Sequence, residues 1–219
     1  MLPLLVASTL SLLASAPPPV PATLAWTVRH MDRDVGRIAF RHKEGKLHTK
    51  GKLTVPGSNL TLELDSHSSL TPEGTSGFRW KFWIFGAPRS AKGQIEGGRL
   101  RATTSHGEEV AQRTDETRGV PILDLIGFGF WLARQDGEEA PRAAAFAGYF
   151  LYDVFAVRKD LEVITLPLGP RKARRWELTA TRPGRTRTLT LWTDPSQGIP
   201  LKAHVDLDYF GWVDLVLSR

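Results

Sequence analysis

The stretch Lys50–Asp65, "KGKLTVPGSNLTLELD", decides the fold class. Residues opposed across two antiparallel strands share a face of the sheet, so a hairpin can be tested by parity. With Pro56-Gly57-Ser58-Asn59 as the loop, Val55 opposes Leu60 and Leu53 opposes Leu62. The other face then opposes Lys52 to Glu63 and Lys50 to Asp65. One side is apolar and the other carries pairs of opposite charge. This predicts a β-hairpin with one face on a core.

The same test extends along the chain. In "GQIEGGRLRA" (Gly93–Ala102) a tight turn at Gly97-Gly98 opposes Glu96 to Arg99 and Ile95 to Leu100. In "RWELTATRPGRTRTLTLW" (Arg175–Trp192) a turn at Pro183-Gly184 opposes Leu178 to Leu189 and Trp176 to Leu191. Near the end, a three-residue loop Tyr209-Phe210-Gly211 opposes Leu207 to Val213, Val205 to Leu215 and Ala203 to Leu217, with Gly211 in the left-handed position. Leu24–Met31, Val35–His42, Phe78–Phe85, Glu109–Thr114 and Leu161–Leu168 read as further strands. About a dozen short, closely spaced strands predict an antiparallel meander. Two segments read as helices instead. "PILDLIGFGFWLAR", from Pro121, has proline at a helix start and puts Ile122, Leu125, Ile126 and Phe130 on one face. "PRAAAFAGYFLYD" (Pro141–Asp153) is alanine-rich and reads as a second helix, with the loop "RQDGEEAP" between the two.

Composition bounds the rest. At 219 residues, with 41% hydrophobic and 24% charged residues, the chain has the balance of a single globular domain. The net charge of +6 is unevenly placed: seven basic residues against Glu177 lie between Arg171 and Arg187. Such an edge suits an anionic membrane surface or an envelope partner, and no nucleic-acid motif accompanies it. The absence of cysteine excludes disulfides, thiolate metal sites, a cysteine nucleophile and a lipidated N-terminal cysteine. "MLPLLVASTLSLLASAPPPVPA" (Met1–Ala22) is apolar from Leu2 to Ala16 and then proline-rich, as in a secretory signal cleaved after Ala22, although its start lacks a basic residue. The expected organisation is a signal peptide over 1–22 and one antiparallel β domain over 23–219. An exported chain would be periplasmic in a Gram-negative cell.

Three stretches together, "ITLPLGPRKARRWELTA", "LTLWTDPSQGIPLKAHVDL" and the closing "YFGWVDLVLSR", resemble an exported bacterial family known as domain of unknown function number 3108. The segment "ILDLIGFGFWLARQ" sits where that family places a helix. The resemblance is most specific from Ile164 onward. Such proteins are similar in architecture to periplasmic lipoprotein carriers, in which an incomplete barrel wraps around helices and encloses an apolar cavity. The resemblance therefore implies a mainly β fold: a curved antiparallel sheet or incomplete β-barrel with one or two helices packed in its concave face. It brings no catalytic motif.

Candidate chemistry starts from "GFRWKFWIFGAP" (Gly77–Pro88). Phe78, Trp80, Phe82 and Ile84 share one strand face, while Trp83 and Phe85 crowd the other. Trp80, Phe82 and Trp83, together with Phe128, Phe130 and Trp131 of the first helix, are candidates to line a pocket for a lipid or other amphiphile. Arg182 and Arg185 would hold an anionic head group. The same aromatics would equally make an ordinary core at a sheet–helix junction. On the polar face of the last hairpin, Asp206 is expected opposite Asp214, with Asp208 and His204 beside them. Opposed like charges need compensation, from a cation or from nearby arginines. His30, His42, His48 and His106 show no metal-ligand spacing, and Ser66-His67-Ser68 after Asp65 alternates faces and makes no triad by adjacency. Neither a cofactor fingerprint nor a hydrolase motif is present. Asn59-Leu60-Thr61 is a sequon, meaningful only in a eukaryotic secretory pathway. The sequence thus favours a non-catalytic exported protein, either an amphiphile binder or an envelope interaction protein with a filled core and a basic docking edge.

Overall fold

The computed structural model describes residues 23–71, 74–116, 119–135, 142–147, 150–207 and 211–219. The expected signal segment lies outside them. Eight strands come first: β1 (Thr23–His30), β2 (Arg33–Lys43), β3 (Lys46–Thr54), β4 (Thr61–Thr71), β5 (Gly74–Ile84), β6 (Ala87–Glu96), β7 (Arg99–His106) and β8 (Glu109–Glu116). A short β9 (Ile122–Asp124) leads into helix α1 (Leu125–Ala133). Six strands follow: β10 (Arg142–Ala147), β11 (Phe150–Leu166), β12 (Gly169–Arg182), β13 (Arg185–Asp194), β14 (Ile199–Leu207) and β15 (Gly211–Leu217).

All fifteen strands belong to one sheet, ordered from β8 back to β1, then from β15 back to β9. Two meanders are joined where the first strand meets the last, Trp26 opposite Leu217 and Val28 opposite Leu215. Every neighbouring pair is antiparallel except β9 with β10, where Ile122 lies beside Ala144. The order ends at β8 on one side and β9 on the other, so the sheet is open. It is also strongly curled. Ile122, Ala144 and Phe146 from β9 and β10 share a cluster with Phe78, Trp80, Ala91 and Leu100 from β5 to β7. This is the expected incomplete barrel, with one helix in its concavity among the described residues.

The parity readings hold in three hairpins. Leu53 opposes Leu62 and Lys50 opposes Asp65; Ile95 opposes Leu100; Trp176 opposes Leu191 across the Pro183-Gly184 turn. The last hairpin is different. Ala203 opposes Leu215, Val205 opposes Val213 and His204 opposes Asp214, a slip of two residues from the expected register. A two-residue slip preserves parity, so apolar still meets apolar and the pattern alone does not detect it. Gly211 keeps its positive φ of 68° but starts β15 rather than ending the loop. Asp208, Tyr209 and Phe210 lie outside the described residues. Phe85 is also corrected: it sits at the β5–β6 turn with φ 53°, not on a strand face.

The second expected helix is instead β10 and the start of β11. Its alanines explain the misreading. Ala143 and Ala145 pack into the cluster of Trp176 and Leu178, while Ala144 and Phe146 pack toward β5–β7. A strand buried on both faces reads as an unbroken apolar run, which periodicity cannot distinguish from a buried helix. The first helix begins later than Pro121. Ile122–Asp124 pairs with β10, and Asp124 then caps α1, its Oδ1 accepting from Gly127 N at 3.0 Å. Its Oδ2 accepts from Thr75 Oγ1 at 3.0 Å, which ties the helix start to β5. Gly127 is needed for that close approach: a Cβ there would come within 2.9 Å of both Asp124 Oδ2 and Leu70 Cδ2.

Candidate functional site

Helix α1 is apolar all round. Phe128, Phe130, Leu132 and Ala133 are buried, which marks a helix enclosed by the core rather than one with a single wet face. Successive residues point about 100° apart, so the expected pocket residues disperse. Phe130 meets Trp26 and Phe40 edge-on, at 6.3 and 5.7 Å between ring centroids. Phe128 and Trp131 belong to the Trp176 cluster, whereas Trp80 and Phe82 belong to the β5–β7 cluster, 4.9 Å apart and T-shaped. Trp83 stands on the opposite face of β5, between Glu63 and Pro88. The structure therefore divides five of these aromatics among separate core clusters and leaves Trp83 on the other face of β5. A cleft of about 300 Å³ lies elsewhere, lined by Val120, Arg142, Ala143, Asp153, Val154, Phe155, Thr179 and Thr181. It contains none of the expected ligand residues.

The basic edge is also subdivided. The Arg182 guanidinium lies 3.9 Å from the centroid of the Phe150 ring, and its Nε donates to Tyr152 Oη at 3.2 Å. Arg185 is its cross-strand neighbour. Arg187 donates to the Asp206 carbonyl at 2.8 Å. Glu177 receives Lys159 at 3.0 Å and Arg175 at 2.9 Å. The hydrogen bond from Lys159 is the chief reason its carboxyl is held below the usual glutamate range. These arginines are engaged within the fold.

The end of the β11–β12 ribbon is arranged otherwise. β10 reaches only Phe155 on β11, and β13 reaches only Arg174 on β12. Beyond those points the strands pair with each other alone, Leu161 opposite Arg174 and Val163 opposite Lys172. Ile164, Leu166 and Ala173, on the alternate positions, pack into the cluster of Leu24, Trp26 and Leu201. The opposite face is left outward, with Val163 72% and Leu161 38% exposed; Leu168 at the turn is 48% exposed. Partial burial, then the neighbouring Arg158, draws Arg174 below the ordinary arginine range, with Asp160 opposing. The ribbon face combines aliphatic side chains with cations.

The expected opposition of Asp206 to Asp214 does not occur. The slipped register puts His204 against Asp214, with Nδ1 2.8 Å from Oδ1, and Lys202 Nζ lies 3.1 Å from Oδ2. Asp206 instead faces Trp212. Compensation comes from side chains of the same hairpin.

A second imidazole–carboxylate group went unread in the sequence. His48 on β3 opposes His67 on β4, and their rings stack at 4.1 Å with a 10° interplanar angle. Asp65 Oδ1 lies 3.0 Å from His48 Nε2 and 3.5 Å from His67 Nε2. Lys50 Nζ is 3.8 Å from the other Asp65 oxygen. Burial, then His48 and Arg79, lowers the His67 pKa against the pull of Asp65. The hairpin register that opposes Lys50 to Asp65 also opposes His48 to His67, two residues further along. That arithmetic was the available signal.

No known protein family matches the chain by sequence, and no curated protein is significantly similar to it. The likeness is structural. The crystal structure of a β-barrel-like protein of domain of unknown function DUF1849 from Brucella abortus superposes with a TM-score of 0.62 at 9% identity, covering 92% of this chain and 97% of that one. It is a β-barrel-like fold. The hypothetical lipoprotein YmcC from Escherichia coli K12 aligns over 90% of this chain and 87% of its own at 10% identity, with a TM-score of 0.36 that carries no structural argument.

Proposed function

We propose that this is a non-catalytic exported protein that docks on an anionic membrane surface through the outward face of the β11–β12 ribbon. Export is supported by the apolar Met1–Ala22 segment, which has the form of a secretory signal. The observation that carries the docking reading is that ribbon face. Leu161 and Val163 are exposed beside Lys172 and Arg174, with Leu168 at the turn. From Arg158 to Arg175 the ribbon has six basic residues against Asp160 and Glu162. Each cation near an anionic leaflet contributes about 1 kcal/mol, and small aliphatics can enter the interfacial region beside them. Interior aromatics already in contact with one another favour a filled core over an open cavity.

The test is co-sedimentation with vesicles containing phosphatidylglycerol, against vesicles of phosphatidylcholine alone. The protein should partition onto the anionic vesicles, and Lys172→Glu with Arg174→Glu should weaken that at least tenfold. Equal binding to neutral vesicles, or an unaffected double variant, overturns docking.

A second reading rests on one interior feature. The Thr49 and Ser66 hydroxyls, opposed on β3 and β4 beside Trp80, are buried without a hydrogen-bond partner. Buried polar groups normally have partners, so a polar ligand group would fit there. Trp80, the cross-strand partner of Ser66, would then border the bound amphiphile. Native mass spectrometry without detergent separates the two readings. A removable lipid mass supports the carrier, and a bare chain that takes up no added phospholipid excludes it.

A further inference from the structure

We infer that His48, Asp65 and His67 form a binding site for a divalent transition metal ion of the zinc type on the outer face of the β3–β4 hairpin. The ligand atoms, one from each residue, all lie within 4.8 Å of one another. The two nitrogen-to-oxygen separations of 3.0 and 3.5 Å bracket the roughly 3.3 Å edge of a tetrahedron whose ligands sit 2.0–2.1 Å from zinc. Two imidazoles with one carboxylate form a borderline donor set suited to zinc, nickel or copper rather than to calcium or magnesium. The backbone supplies the convergence. His48 and His67 are cross-strand partners and therefore share a face, and Asp65, two residues before His67 on β4, shares it as well. All three side chains are about one-third to two-fifths exposed, at 34%, 35% and 42%. They can tilt the small distance that closes the site, and solvent can fill the fourth position.

Four cations set the strength, among them Arg41 across from His48 on β2 and Lys81 across from Asp65 on β5. Lys50 lies beside the second oxygen of Asp65, and Arg79 is the next residue across from His67. All four repel a metal ion, so the expected affinity is micromolar rather than nanomolar. The group around Asp214 supplies an internal control. It has one imidazole, His204, and its second carboxylate oxygen is taken by Lys202, so it lacks the second nitrogen ligand.

The experiment is titration calorimetry of the tag-free full chain with zinc chloride, followed by the imidazole resonances. One equivalent should bind, shifting the His48 and His67 signals and leaving His204 unmoved. His48→Asn and His67→Asn should each weaken binding at least tenfold, Asp65→Asn less, and His204→Asn not at all. The histidines are only partly buried, so melting temperatures without metal should stay close to the parent and show that the variants fold. Should either histidine variant fail to fold, Asp65→Asn and the resonance shifts of the parent protein decide instead. Absence of saturable uptake at millimolar zinc, or undiminished binding in the His48→Asn/His67→Asn double variant, overturns the site.

Discussion

The two ends of the sheet meet the same hazard in opposite ways. An end strand presents unpaired backbone groups that invite another chain. At one end, β9 and β10 are folded inward: Ile122, Leu123, Ala144, Ala145 and Phe146 are buried, with core on both sides. At the other, β8 is exposed along most of its length and carries Glu109, Arg113, Asp115 and Glu116. Arg113 holds Asp115 with two donated hydrogen bonds, and Arg99 pairs with Glu116 across β7 and β8. The first end is protected by burial, the second by charge. Stability should therefore concentrate at the β9–β10 end and nearly vanish at β8.

The most damaging substitution should be Phe146→Ala. Phe146 is 1% exposed and packs against Phe78 at 4.8 Å, so its loss should cost about 3–5 kcal/mol in urea unfolding. A cost below 1 kcal/mol would mean that the inward fold of β10 is not a principal source of stability. Asp124→Ala comes next, since it strands both Gly127 N–H and the Thr75 hydroxyl in a buried setting. About 2 kcal/mol should be lost, with part of it recovered in Asp124→Asn. At the other end, Val110→Thr alters a residue 66% exposed on β8 and should change the unfolding free energy by less than about 0.5 kcal/mol. A large effect there would show that β8 is covered in solution and would erase the contrast.

What the sequence disclosed followed the physics of each signal. Hairpins with an apolar face and a charged face, such as Lys50–Asp65, were legible because a one-residue slip would invert every side chain. The closing hairpin was misread by two residues because that slip costs nothing in parity. The contacts of Asp214 with His204 and Lys202, and the stacking of His204 on Trp212, accompany the observed register. The alanine run of β10 hid its nature because burial on both faces removes alternation. The aromatics were grouped by nearness in sequence, but α1 turns them toward different neighbours and β5 sends Trp83 to the far face. The His48–Asp65–His67 group was the reverse case: dispersed along the chain, yet fixed by a register already in hand.

The pairing of β1 with β15 bears on how the chain reaches its folded state. Trp26 meets Leu217, and the Ala25 amide donates to the carbonyl of Arg219 at 2.8 Å, so the two termini of the described fold are adjacent at the middle of the sheet. Within each meander, successive hairpins make local contacts that form early, whereas this seam closes the longest loop in the molecule. During synthesis the seam has no second half until β15 emerges. With the two termini adjacent, a linker joining Arg219 to Thr23 would permit new ends to be opened at a distant turn such as Gly97-Gly98 without removing a strand from the sheet.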